Sequence, residues 1–152
     1  MRFANLIVIV LITSMPMNAP LAGEADDAAK YIPASELESR GAKRIADSEE
    51  VRKLMSEKKI SLGYSNGRTT WTNEPDGKLS GRGRSYSTNA KGFSIVGTWR
   101  IGDNANYCVD IDSVSFNTKW CRVLYRLGND LYLIGAGAAK KGEGQAQLIA
   151  FE

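Results

Sequence analysis

Beyond residue 45 the chain divides into short stretches of regularly spaced apolar residues, punctuated by Gly, Asn, Asp and Pro. The first has helical spacing, with Val51, Leu54 and Met55 on one face. Asp47 stands three residues before Glu50, a capping-box-like start. Glu49 and Glu50 at one end and Lys58-Lys59 at the other complement the helix dipole, so the pattern predicts a helix over about 48–58. Its apolar stripe is narrow, which implies packing on something larger. From Ile60 the period changes to two. Residues 60–64 alternate and stop at Asn66-Gly67, a hairpin signal. Residues 69–72 are strongly β-favouring and stop at Glu74-Pro75-Asp76-Gly77, a turn sequence. Further strands are predicted over 79–87, 93–101, 107–111, 119–126, 131–134 and 147–151, with Ile95, Gly97, Trp99 and Ile101 sharing a face.

Short strands at about 8–12-residue intervals, with no helix-length segment between them, disfavour a parallel βαβ layout. The expected fold is mainly β. A short N-terminal helix packs on an antiparallel β-barrel or sandwich of about eight strands, lipocalin-like in form. Residues 26–46 mix charge, a proline and a glycine without a sustained period, and read as a loose leader with one helical turn after Pro33. The expected organisation is a signal segment over 1–25, the leader over 26–46 and one β-rich domain over 47–152.

The signal segment rests on a basic start at Arg2, an apolar run from Leu6 to Ile12 and small residues near Gly23 and Ala25. The run is shorter than the roughly 20 residues that cross a hydrocarbon core, so cleavage with no retained membrane span is expected. Cleavage is expected after Ala22, Gly23 or Ala25, Pro20 disfavouring the first, and no Cys follows the run to take a lipid anchor. The compartment is therefore the periplasm or the exterior. Cys108 and Cys121, an even pair in an exported chain, are expected to form a structural disulfide. On the predicted strands Cys121 shares a face with Val123 and Tyr125, as core would, whereas Cys108 shares one with Asp110. A bulge or a bridge near a rim would reconcile the two.

Net charge is only +3, too weak and mixed to argue for nucleic acid. There is no histidine, which removes the usual general base and the commonest metal ligand. Two cysteines without histidine cannot complete the common zinc sites. No catalytic residue, metal site or cofactor is assigned. Asp110 and Asp112, near Asp103, Asn104 and Asn106, form an oxygen-rich group, but EF-hand spacing is missing and such residues are routine in turns.

The combination Gly97-Thr98-Trp99-Arg100, Cys108, Trp120-Cys121-Arg122-Val123 and Tyr125-Arg126-Leu127-Gly128 resembles a family of small exported bacterial proteins of unknown function. Glu49-Glu50 to Met55 and the Asp76-Gly77 turn extend the resemblance, which covers roughly residues 45–135. It implies periplasmic export and a disulfide-bearing β-domain behind an N-terminal helix, and carries no catalytic residues. The Gly-rich tail and the serine-rich third strand depart from the family pattern.

Candidate binding residues are Arg82 and Arg84, two apart on one strand and so on one face, with Trp71 and Tyr86 as aromatic anchors. Arginine pairs bidentately with carboxylate and phosphate. Trp71, Trp99 and Trp120, with Tyr64, Tyr86, Tyr107, Tyr125 and Tyr132, are candidates to line a ligand cavity inside a barrel. The bland reading of the basic stretch is a charged edge strand that resists aggregation, and that of the strand aromatics is simply core. Trp99 reads as core, while Trp71, flanked by Thr70 and Thr72, is the best cavity or contact residue. The leading functional expectation is a non-enzymatic exported β-domain that binds an envelope protein or an anionic envelope component, an inhibitor or immunity-type protein being one concrete form. The alternative is a lipocalin-like carrier of a small apolar molecule. A carboxylate-dependent hydrolase ranks last, because Asp110 and Asp112 have no apolar environment to raise either pKa. Oligomeric state is left open.

Overall fold

Period-two patterning becomes strand almost everywhere it occurs. The computed structural model describes residues 31–64, 67–85, 92–113, 117–140 and 144–152. In chain order the elements are β1 (Tyr31–Pro33), α1 (Ala34–Ser39), β2 (Lys43–Arg44), α2 (Ser48–Met55), β3 (Lys59–Tyr64), β4 (Gly67–Asn73), β5 (Lys78–Ser85) and β6 (Phe93–Ile101). A 3-10 turn at Asp103–Ala105 leads into β7 (Tyr107–Ser113), β8 (Asn117–Leu127), β9 (Asp130–Gly135), α3 (Ala136–Lys140), β10 (Gln145–Leu148) and β11 (Ala150–Phe151). The chain is mainly β, and the strands form one curled, barrel-like antiparallel sheet. Among the described residues no helix is long and apolar enough to cross a membrane.

Strands β3 to β9 form a meander in which each pairs with the next. The C-terminal segment joins both sides of it. Gln147 and Leu148 pair with Leu133 and Tyr132 of β9, and, past Ile149, Ala150 and Phe151 pair with Ser61 and Ile60 of β3. A Lys59–Glu152 ion pair of 2.6 Å fastens the end. Two corrections to the sequence reading follow. The strands belong to one sheet, so the sandwich falls away. Among the described residues they number eleven, because β1 and β2 add to those expected and the last strand breaks at Ile149.

The concave face holds the main core, including Ile60, Leu62, Trp71, Ile95, Trp99, Tyr107, Leu124 and Leu133. Strand coiling there depends on missing side chains: a Cβ on Gly97 would fall 2.1 Å from the Asp110 carbonyl oxygen. Helix α2 closes one end, with Val51 and Met55 fully buried in this core. Its cap is Asp47, whose carboxylate accepts from the Glu49 N–H at 2.9 Å. The helix ends three residues earlier than expected. Ser56 turns extended and Glu57 takes a φ of 58°, so that its N–H reaches the Asn73 carbonyl at 2.8 Å. Pairing with β4 wins over another helical turn.

A second core lies on the convex face. Val123, Tyr125, Tyr132, Ile134 and Ala146 pack under Ala34 and Leu37 of α1. Tyr125 donates to the Glu38 carboxylate at 3.2 Å. Residues 31–44 are thus not a loose leader: the helical turn after Pro33 is present and its Leu37 is completely buried. The cysteine conflict resolves in the same way. Cys108 and Cys121 sit directly opposite each other in unbroken register and are bonded, on the convex face. Val123 and Tyr125 are core on that face because α1 covers it further along β8, whereas Asp110 lies beyond that cover and pairs with Lys119 at 2.5 Å. Neither a bulge nor a rim position is needed.

Candidate functional site

At the end away from α2 the concave face opens into a cavity of about 380 Å³. Tyr64 at the end of β3, Phe93 at the start of β6, Ile111 on β7 and Trp120 on β8 supply its apolar surface. Thr69 and Thr118 add hydroxyls, and Arg68, Arg84 and Arg122 add positive charge. No Asp or Glu lines it among the described residues. Alternation puts these groups there: Thr118, Trp120 and Arg122 stand two apart on β8, opposite Ile111, Val109 and Tyr107 of β7. Gly83 makes room for the Phe93 ring, since a Cβ on Gly83 would lie 2.0 Å from Phe93 Cζ.

Arg122 stacks over the Trp120 ring, 4.4 Å from its centroid. It donates to Gln147 Oε1 at 2.5 Å, and Gln147 Nε2 donates to the Gly63 carbonyl at 2.7 Å. The Tyr31 hydroxyl approaches the same carbonyl at 3.5 Å. Burial lowers the Arg122 pKa, which still leaves the guanidinium charged at neutral pH. Burial raises that of Tyr31, as does neighbouring Tyr64, while Arg122 pulls the other way.

Below the cavity the core is tied together by hydrogen bonds. Trp71 Nε1 donates to both Asn73 Oδ1 and Tyr107 Oη at 3.1 Å, and the Tyr107 hydroxyl donates to Asn73 Oδ1 at 3.0 Å. Asn73 Nδ2 donates to the Met55 carbonyl at 2.9 Å, tying the network to the end of α2. Tyr107 stacks edge-on to Trp120, centroids 5.8 Å apart, which connects this floor to the cavity wall.

The structure separates the residues singled out from sequence. Arg82 and Arg84 are exposed and share the convex face of β5, and Arg84 also reaches the cavity rim. Trp71 is only 1% exposed and belongs to the hydrogen-bonded core, so its reading as a contact residue is corrected. Its Thr neighbours face outward while it points in, and burial of the indole N–H is satisfied by two acceptors. Trp99 is core, as expected. Tyr86 lies outside the described residues. Of the aromatics named as cavity candidates, Trp120 and Tyr64 do line the cavity, whereas Phe93, Arg122 and Gln147 were not singled out. The available signal was Arg122 itself, a charged residue two positions from both Trp120 and Leu124 on a strand whose same-face neighbours are apolar.

Comparison with family models, curated proteins and solved structures finds no match to this chain.

Proposed function

We propose that the mature chain is an exported, non-enzymatic binding protein that holds a small ligand with an apolar body in the mouth of a lipocalin-like barrel. The observation that carries this reading is the 380 Å³ cavity walled by Tyr64, Phe93, Ile111 and Trp120, a volume at the small end of ligand sites. Closure into a barrel of eight long strands is supported by the C-terminal segment, which pairs with β9 and then with β3. Export is supported by the bonded Cys108 and Cys121, since disulfides persist in oxidising compartments. Titration of the oxidised protein with N-phenyl-1-naphthylamine, a neutral probe that fluoresces when desolvated, tests the reading. Saturable one-to-one binding is expected, and a linear, non-saturating response would overturn it.

A second reading, contact with an anionic envelope component or an envelope protein, is favoured by the convex face of β5 and β6. There Arg82 and Arg84 lie exposed beside Ser94 and a 57% exposed Val96. Replacing both arginines with alanine is expected to weaken capture of that partner from envelope extract and to flatten its salt dependence. Unchanged capture and salt response would reduce the patch to protection of the surface.

A further inference from the structure

We infer that the cavity's ligand is a small aromatic carboxylate, its body stacked among Phe93, Trp120 and Tyr64 and its charged head taken by the Arg122 guanidinium. This assignment rests on the cavity being a ligand site and names what that site recognises.

Arg122 points into the concave side because it alternates with Trp120 and Leu124 and stands opposite Tyr107 and Gly135. It is half-buried on an indole face, and no described carboxylate pairs with it. Among the described residues, ion pairs such as Arg126–Glu50 at 3.0 Å and Lys119–Asp110 lie at the surface. Removing a guanidinium from water without a counter-ion is unfavourable, so a cation kept in such a place calls for an anion.

Its hydrogen-bond partner among the described residues is informative. A guanidinium has five N–H donors, and Arg122 uses one of them on the Gln147 amide oxygen. Gln147 is held in turn through its NH₂ group on the Gly63 carbonyl, which aims the amide oxygen at Arg122. A neutral acceptor therefore orients the fork and leaves its charge uncompensated. The planar fork matches a carboxylate in two parallel hydrogen bonds. Aromatic walls and limited volume select a flat, compact body over a long chain.

The test uses the oxidised mature protein and compares 1-naphthylacetate with its neutral methyl ester, each displacing N-phenyl-1-naphthylamine. The acid is expected to bind at least about tenfold more tightly than the ester. Arg122→Met keeps the stem on Trp120, and Gln147→Glu supplies an internal counter-ion. Each should bring the acid-to-ester ratio to about one, the ester serving within each variant as the control for any general change in the cavity. Equal binding of acid and ester by wild type overturns the carboxylate assignment, and a preference that survives in both variants overturns the assignment of the charged head to Arg122; either result leaves the cavity reading intact. A protein that takes up neither the neutral probe nor either naphthyl compound refutes the cavity reading, and the assignment with it.

Discussion

Asn73→Ala removes the hub of the buried network under the cavity, and its cost can be worked from the bonds that remain. Asn73 is fully buried, accepts from Trp71 and Tyr107 and donates to the Met55 carbonyl. After the substitution the Trp71 N–H keeps the Tyr107 oxygen. The Tyr107 hydroxyl proton loses its acceptor, and the Met55 carbonyl loses its side-chain donor. Two orphaned groups at about 2 kcal/mol each predict a loss of about 4 kcal/mol. Tyr107→Phe is the control, because it orphans nothing: the Trp71 N–H and the Asn73 oxygen still satisfy each other. Its expected cost is only about 1 kcal/mol. Urea unfolding of the oxidised protein at 25 °C and neutral pH, followed by tryptophan fluorescence, measures both. A domain of ordinary stability, about 5–15 kcal/mol, remains measurable after either change. Losses equal to within about 1 kcal/mol would refute the reasoning, since they would show that unmet hydrogen bonding does not set the cost.

The same pair of proteins tests alkaline stability. Burial holds the Tyr107 pKa well above its ordinary 10.0, so its contribution is intact below pH 10 and is lost as pH rises further. Wild type should therefore lose more stability between pH 9 and 11 than Tyr107→Phe does, by about 1 kcal/mol or more at the upper end; parallel pH profiles would contradict this. Thiol titration of the denatured, unreduced protein should find no free thiol, and Cys108→Ser should cost about 3 kcal/mol, given the 13-residue separation of the bonded pair. Gly83→Ala should push the Phe93 ring into the cavity and weaken N-phenyl-1-naphthylamine binding about tenfold, at a stability cost of about 1–3 kcal/mol. Unchanged probe affinity in that variant would place the binding site elsewhere.

Much of the strand layout was legible because a curled antiparallel meander writes its two faces into every second residue. Ile95 and Trp99 announced the concave core, and Asp47 announced the start of α2. The end of α2 was not legible, because Glu57 leaves the helix to pair with Asn73, sixteen residues away. Residues 31–44 carried too few apolar positions to look like structure. Their Leu37 is buried only because β8, β9 and β10 present a second apolar face to receive it. The candidate site divided likewise. Arg82 and Arg84 lie on one exposed face, as alternation required, whereas Trp71 went to the core and Trp120 to the cavity. A tryptophan's local sequence specifies the face it lies on; its height along the sheet axis depends on register with strands far away in the chain.

By itself the sequence determined the class of the protein: a mainly β chain with a capped helix, a turn at Asp76-Gly77, and a cysteine pair in neighbouring strands. These follow from local sterics, capping and side-chain periodicity, which act over a few residues. Tertiary structure alone decided that the last strand joins β9 to β3, that α1 covers the convex side, and that Gln147 meets Arg122 beside Gly63. Those contacts join residues from 14 to more than 80 positions apart. They are set by the coiling and register of the whole sheet, which no short stretch of sequence encodes.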